Sequence, residues 1–156
     1  MKMRKIIVDT QSCAGCRRCE LVCSFAKTNA YSPSASRITV LKDDAIGMDY
    51  PIVCHQCDVC SVDATCPAEA FNKASGGVPT VDEGACTSCG ACVQACKYGA
   101  VKMHKGLPIV CDLCGGDPAC VVKCPTHALR FEEVDEEPPT PVEAHRALMR
   151  KWGILA

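Results

Sequence analysis

The sequence predicts a small α+β fold of short helices and antiparallel hairpins, organised by cysteine rather than by apolar bulk. Three observations carry this. Sixteen of 156 residues are cysteine, a level at which cysteine chemistry sets the scaffold. One Trp, three Tyr and three Phe are too few for a large conventional core, and the 48% hydrophobic fraction counts the cysteines. The cysteines also fall into four quartets, each flanked by short stretches with strand or helix periodicity.

The run CTSCGACVQACKYGAV, from Cys86 to Val101, shows what a quartet is for. The two-residue gaps between Cys86, Cys89 and Cys92 let one tight loop bring three thiolates to three corners of a single inorganic cube. Gly90 sits where such a loop most needs a residue free to take positive φ. Cys96 lies too far along to close the same corner, so it reaches a neighbouring cube. This is the bacterial spacing in which the fourth cysteine ligates the other cluster of a pair.

Taken in order, residues 4–9 (RKIIVD) read as a strand with a buried centre. The first motif is Cys13, Cys16, Cys19 and Cys23, followed by Ser24. Residues 19–27 have the period of a short helix, with Leu21, Val22, Phe25 and Ala26 as its apolar positions. A YSPSAS loop leads into an alternating strand over 37–42. The second motif, Cys54, Cys57, Cys60 and Cys66 before Pro67, is irregular. Given its longer last gap, the third cysteine is expected near Val62, so Cys60 is the least regular ligand. A [3Fe–4S] cluster at Cys54, Cys57 and Cys60 is the minor alternative. Residues 70–82 read as two strands about a glycine-bearing turn. After the third motif, where Lys97 replaces the usual proline, residues 100–104 and 107–110 read as a hairpin turning at Lys105–Gly106.

The fourth motif, Cys111, Cys114, Cys120 and Cys124 before Pro125, contains a five-residue excursion, and residues 128–134 close with a strand. An acidic run and Pro138, Pro139 and Pro141 then interrupt regular structure. Thr140 as N-cap, Pro141 at the first helical position and Glu143 form a capping box. Ala144, Ala147, Leu148, Trp152 and Leu155 fall near one face of the helix that follows, with Gly153 as its stop. This tail either packs on its own chain or docks a partner.

Composition excludes several functions. MKMRKIIVDT passes into a polar loop without a secretory h-region, and no window reaches the roughly 18 apolar residues of a membrane span. A cytoplasmic location is expected, where metal ligation is the better use of cysteine than disulfides. The formal charge of −1 becomes more negative with thiolates and clusters bound, and no basic stripe is present, so no nucleic-acid partner is expected. Zinc prefers two C-x2-C pairs separated by a longer loop, whereas these quartets crowd three or four ligands into one. Four [4Fe–4S] clusters use all sixteen cysteines, and the metal-free chain is expected to be largely unfolded. His55, His104, His127 and His145 read as surface or hydrogen-bonding residues. Arg17, Arg18 and Lys97 beside ligand loops read as ordinary solvated cations; the alternative is that they favour the reduced form of a cluster, which Asp58, Asp63, Asp112 and Asp117 would oppose. No phosphate loop, G-x-G-x-x-G or nucleophile–base arrangement is present, so catalytic residues are expected to be none and the chain an electron carrier rather than an enzyme.

On these four motifs, two of them closing in Cys-Pro, residues 6–131 resemble the multi-cluster ferredoxin-like subunits of molybdenum, tungsten and nickel redox enzymes. Dimethyl sulfoxide reductase, formate dehydrogenase, hydrogenase and carbon monoxide dehydrogenase complexes carry relatives. The compact length and the CDLCGGDPAC phrase are most similar to the small iron–sulfur subunit of tungsten-containing aldehyde oxidoreductases. The resemblance implies nested wiring. Cys13, Cys16, Cys19 and Cys124 would hold cluster 1, and Cys111, Cys114, Cys120 and Cys23 cluster 2. Cys54, Cys57, Cys60 and Cys96 would hold cluster 3, and Cys86, Cys89, Cys92 and Cys66 cluster 4. Sequential pairing fits the motif types equally well, and the resemblance alone favours nesting. It implies an outer two-cluster module (1–48 and 104–137), an inserted inner one (49–103) and a docking tail (138–156). It further implies single-electron relay between a catalytic molybdenum- or tungsten-cofactor subunit and an acceptor. That acceptor would be a flavin subunit, a quinone-linked protein or another copy, stacked head to tail into filaments. A free diffusible polyferredoxin and a zinc-bound interaction module are the alternatives.

Overall fold

The computed structural model describes residues 3–73 and 77–155. Its strands form four separate two-stranded antiparallel sheets. β1 (Arg4–Val8) pairs with β8 (Leu129–Glu133), Ile6 facing Phe131, which brings the chain before the first motif against the chain after the fourth. β2 (Thr39–Asp43) pairs with β3 (Met48–Ile52), β4 (Phe71–Lys73) with β5 (Pro79–Val81), and β6 (Lys102–His104) with β7 (Leu107–Ile109). The turn between β4 and β5 includes residues 74–76, outside the described residues. Lys105 and Gly106 turn β6 into β7, both at positive φ (50° and 81°), as a tight hairpin requires. Pro51, Pro79 and Pro108 each lie within a strand, which a two-stranded sheet tolerates because every strand has an unpaired side.

Among the described residues four α-helices complete the fold: α1 (Arg18–Thr28), α2 (Ala91–Ala95), α3 (Ala119–Val122) and α4 (Pro141–Lys151). α1 differs from its expected orientation. Cys19, Glu20, Cys23 and Ser24 are buried, while Leu21 and Phe25 are 39% and 42% exposed. Cys19 and Cys23, four residues apart, share one helix face and bring Glu20 and Ser24 inward with them. Those polar groups are satisfied: Glu20 Oε1 accepts from the Val40 N–H (2.6 Å), and Ser24 Oγ donates to Leu21 O and accepts from the Ser32 N–H. β3 was not expected from the sequence, and it moves the preceding strand to Thr39–Asp43.

The interior is divided. Ile6, Ile38, Val40, Val53, Leu113 and Leu129 pack with Cys19, Cys23, Cys111 and Cys120, while Val62, Phe71, Val101 and Val110 pack with Cys92. A third cluster, Ile46, Met48 and Tyr50 on the β2–β3 hairpin, receives Ala144, Leu148 and Met149 from α4. The inner face of the tail is thus docked on its own chain. Thr140 and Glu143 form the reciprocal capping box that starts α4. No helix among the described residues is long and apolar enough to cross a membrane.

Candidate metal centres

The ligand loops share a backbone device. The residue before the second cysteine of each motif lies at positive φ: Gly15 (61°), Gln56 (47°), Ser88 (56°) and Leu113 (57°). The residue after that cysteine does so in three motifs, at Arg17, Gly90 and Gly115. For a side chain larger than glycine this geometry costs of order 1–3 kcal/mol and persists only where the surroundings over-determine it. Each loop turns tightly enough to gather its cysteines. At Gly15 an added Cβ would also displace the Asp49 carboxylate and the Lys42 ammonium that pairs with it.

Among the described residues no three His, Cys, Asp or Glu side chains converge closely enough to hold a single metal ion; the loops set the sulfurs around cavities instead. One cavity is lined by Cys54, Cys57, Cys60 and Cys96 together with His55, Gln56, Lys97 and Tyr98. A second is lined by Cys66, Cys86, Cys89 and Cys92, and a third by Cys23, Cys111, Cys114 and Cys120 with Lys27, Arg37 and Asp112. Cys13, Cys16, Cys19 and Cys124 are neighbours too: the charges of Cys124 and Cys16 reach Cys13, and those of Cys13 and Cys16 reach Cys19. Cys60 stands on its cavity wall, while Val62, where a regular third ligand would fall, is buried in the apolar cluster with Phe71, Val101 and Val110. The cavities abut. Val53 lines the Cys23/Cys111 cavity and Cys54 the next one, whereas Val110 lines the Cys54 cavity and Cys111 the other. Phe71 lies between the Cys54 and Cys86 cavities, lining both.

The donor set of the three cavity-lining quartets fits a [4Fe–4S] cluster, with four thiol sulfurs around a shared space and backbone N–H groups directed at sulfur. Arg37, Ser88 and Ala100 donate their N–H to the sulfurs of Cys23, Cys86 and Cys96 at 3.3–3.4 Å. Burial pushes the Cys54 and Cys111 thiols up to about 12, and burial together with Glu20 does the same to Cys19. Cys66 runs the other way. The N–H of Phe71 foremost, then those of Ala68, Ala70 and Glu69, outweigh burial and lower its thiol below the usual range. At Cys124 burial raises the thiol, but the N–H groups of Leu129 and Thr126, the Thr126 hydroxyl and the Ala128 N–H together prevail and lower it. Thiols must lose their protons to ligate, so loading these sites releases protons.

The charged neighbours are placed as follows. Asp112 bridges Lys27 (2.7 Å) and Arg37 (2.6 Å) beside Cys111, and Lys5 meets Asp58 at 3.4 Å. Arg17 and Arg18 are exposed, as are Asp63 and Asp117. His55 is buried; its Nδ1 lies 3.2 Å from Ile6 O and therefore donates, and burial lowers its pKa to about 4, leaving it neutral. His145 meets Asp43 at 3.0 Å. The sequence reading missed Tyr98, which lines a cavity and packs edge-on to His55, and Glu137, which pairs with Lys97. Neither carries a local signal, because their partners are distant in sequence.

Four cysteine loops on short helices and hairpins define an iron–sulfur protein of the ferredoxin class, and the 4Fe-4S binding domain model (Fer4) matches residues 79–102, across the third motif. The chain is 38% identical over 122 residues to the polyferredoxin-like subunit of aliphatic sulfonate oxidoreductase of Pyrococcus furiosus, covering 76% of this chain and 70% of that one. It is 35% identical over 157 residues to the putative electron transport protein YsaA of Escherichia coli (strain K12), covering 92% and 95% respectively. The chain belongs to the family of ferredoxin-like iron–sulfur electron-transfer subunits of oxidoreductase complexes. Among solved structures, a chain of the active site complex BamBC of benzoyl coenzyme A reductase in complex with zinc superposes with a TM-score of 0.53 and 25% identity, covering 98% of this chain and 93% of that one.

Proposed function

We propose that the chain holds four [4Fe–4S] clusters, in the nested arrangement, and relays single electrons between a catalytic subunit and an acceptor. The observation that carries this reading is that three cavities each gather three cysteines of one motif and one of another: Cys54, Cys57 and Cys60 with Cys96; Cys86, Cys89 and Cys92 with Cys66; Cys111, Cys114 and Cys120 with Cys23. The electrostatic contact of Cys124 with Cys13 supports the same pattern for the remaining four. A [4Fe–4S] cluster supplies one-electron redox chemistry wherever it is bound. The chain's own residues fix spacing and water access. Val53–Cys54 and Val110–Cys111 hold two sites back to back, Phe71 separates the next two, and Cys16 and Cys89, the exposed cysteines, mark the outermost sites.

The partner we infer is a molybdenum- or tungsten-cofactor subunit, and among these a tungsten-containing aldehyde oxidoreductase, on the strength of chain length and the CDLCGGDPAC phrase. Relatives named as subunits of other oxidoreductases support a catalytic partner in general. A flavin subunit or a further copy in a head-to-tail filament would take the electrons, in the cytoplasm.

Anaerobic iron and acid-labile sulfide analysis, with EPR before and after dithionite reduction, tests the reading. About sixteen irons and sixteen sulfides per chain are expected. About fifteen irons and a signal from the oxidised sample would place a [3Fe–4S] cluster at the Cys60 site, and zinc without sulfide would end the reading.

A further inference from the structure

The tail brings a charge to one site. Lys97 and Tyr98, directly after Cys96, both line the cavity of Cys54, Cys57, Cys60 and Cys96. Lys97 Nζ forms an ion pair with Glu137 Oε2 and lies 5.2 Å from the centre of the Tyr98 ring. Glu137 is held there by its neighbours: the buried Tyr98 hydroxyl donates to Pro138 O and the buried Tyr50 hydroxyl to Pro139 O, both at 2.9 Å. The Thr140 capping box follows at once and starts α4, whose Ala144, Leu148 and Met149 pack on the β2–β3 hairpin. The charges of both Glu137 and Lys97 reach Cys57. The other cation on this cavity, Lys73, is committed to Cys57 O and Asp58 O.

We propose that Glu137 and Lys97 form a charge-balancing pair, each offsetting the other's effect on the reduction potential of the cluster held by Cys54, Cys57, Cys60 and Cys96, with residues 137–139 as the strap that carries the carboxylate into place. The inference rests on the reading of that quartet as a [4Fe–4S] site. Reduction adds one negative charge there; a nearby ammonium favours the reduced form and a nearby carboxylate disfavours it. Together the two nearly cancel, and either alone does not. Both act through the field at the site, as positioning residues rather than ligands.

An EPR-monitored redox titration of the full chain under anaerobic conditions decides it, the site's signal being the one that Cys57→Ser alters. Glu137→Gln raises that potential, Lys97→Gln lowers it, the double variant returns near the parent value, and the other clusters hold theirs. A purely structural strap would shift both single variants the same way by loosening the site, and that result, or no shift in either, overturns the proposal. Should Glu137→Gln shed iron, Lys97→Gln decides alone: a downward shift supports the pair and an unchanged potential removes it. If Cys57→Ser alters no signal, the cluster assignment itself falls and the pair with it.

Discussion

Cys66 and Cys124 hold the same place in the two Cys-Pro motifs: each sulfur faces the backbone N–H groups of the residues two, four and five positions on, Ala68, Ala70 and Phe71 in one case and Thr126, Ala128 and Leu129 in the other. The chain therefore solves the same local problem twice, once in each half. In the proposed wiring both cysteines go to another motif's quartet, and the N–H groups that lower their thiols would serve as hydrogen-bond donors to the bound ligand sulfur.

This relationship makes the wiring testable. Cys66→Ser and Cys89→Ser are expected to change the same EPR signal, and Cys124→Ser and Cys16→Ser a second one. If Cys66→Ser altered the signal that Cys57→Ser alters, the nested assignment would be wrong.

Gly15→Ala and Gly90→Ala separate crowding from backbone strain. Both glycines have positive φ (61° and 74°), so each substitution costs about 1–2 kcal/mol of backbone energy. A Cβ at Gly90 meets nothing within 4 Å, whereas one at Gly15 collides with the paired Asp49 and Lys42 side chains. Gly15→Ala is expected to lose somewhat more, because Asp49 and Lys42 must turn aside and give up their partly exposed ion pair. Thermal unfolding of the loaded proteins checks the order, and equal losses would refute it.

Tyr50→Phe and Tyr98→Phe each remove one hydroxyl bond to the proline segment and should destabilise tail docking by about 1 kcal/mol. Thr140→Ala removes the cap and should cost a similar ~1 kcal/mol. Hydrogen exchange across residues 138–151 should accelerate in all three variants and stay unchanged around the β6–β7 hairpin.

Acid should loosen the same helix start. The Thr140 N–H and hydroxyl hold Glu143 below its ordinary pKa of 4.5. A carboxylate whose folded pKa is depressed stabilises above its unfolded pKa, and that stability is lost as pH falls through the folded value. Exchange protection at the start of α4 should therefore drop only below the ordinary carboxylate range, and the drop should vanish in Glu143→Gln.

What the sequence made legible was local. Ligand spacing lies within a single loop, so all sixteen cysteines could be grouped by motif, and the capping box needs only Thr140, Pro141 and Glu143. The orientation of α1 was misread because periodicity assumes that oil defines the inside, while Cys19 and Cys23 define it here. β3, MDYPI, hides behind its Asp and Pro. The positive φ of Gln56, Ser88 and Leu113 is imposed by gathering cysteines and has no glycine to announce it. Glu137 meets Lys97 across forty residues, a distance at which pattern is silent.

Pro51, Pro79 and Pro108 place a residue without an N–H in three of the four two-stranded sheets. The remaining pair, β1–β8, carries Arg4, Arg130, Glu132 and Glu133. Prolines and charges on unpaired strand sides discourage one chain from adding its strands to another. The benefit falls in the interval after synthesis, while the chain waits for its inorganic cargo with small apolar clusters and little else to hold it shut. A protein that depends on delivery for its interior survives the wait better with edges that do not invite a neighbour.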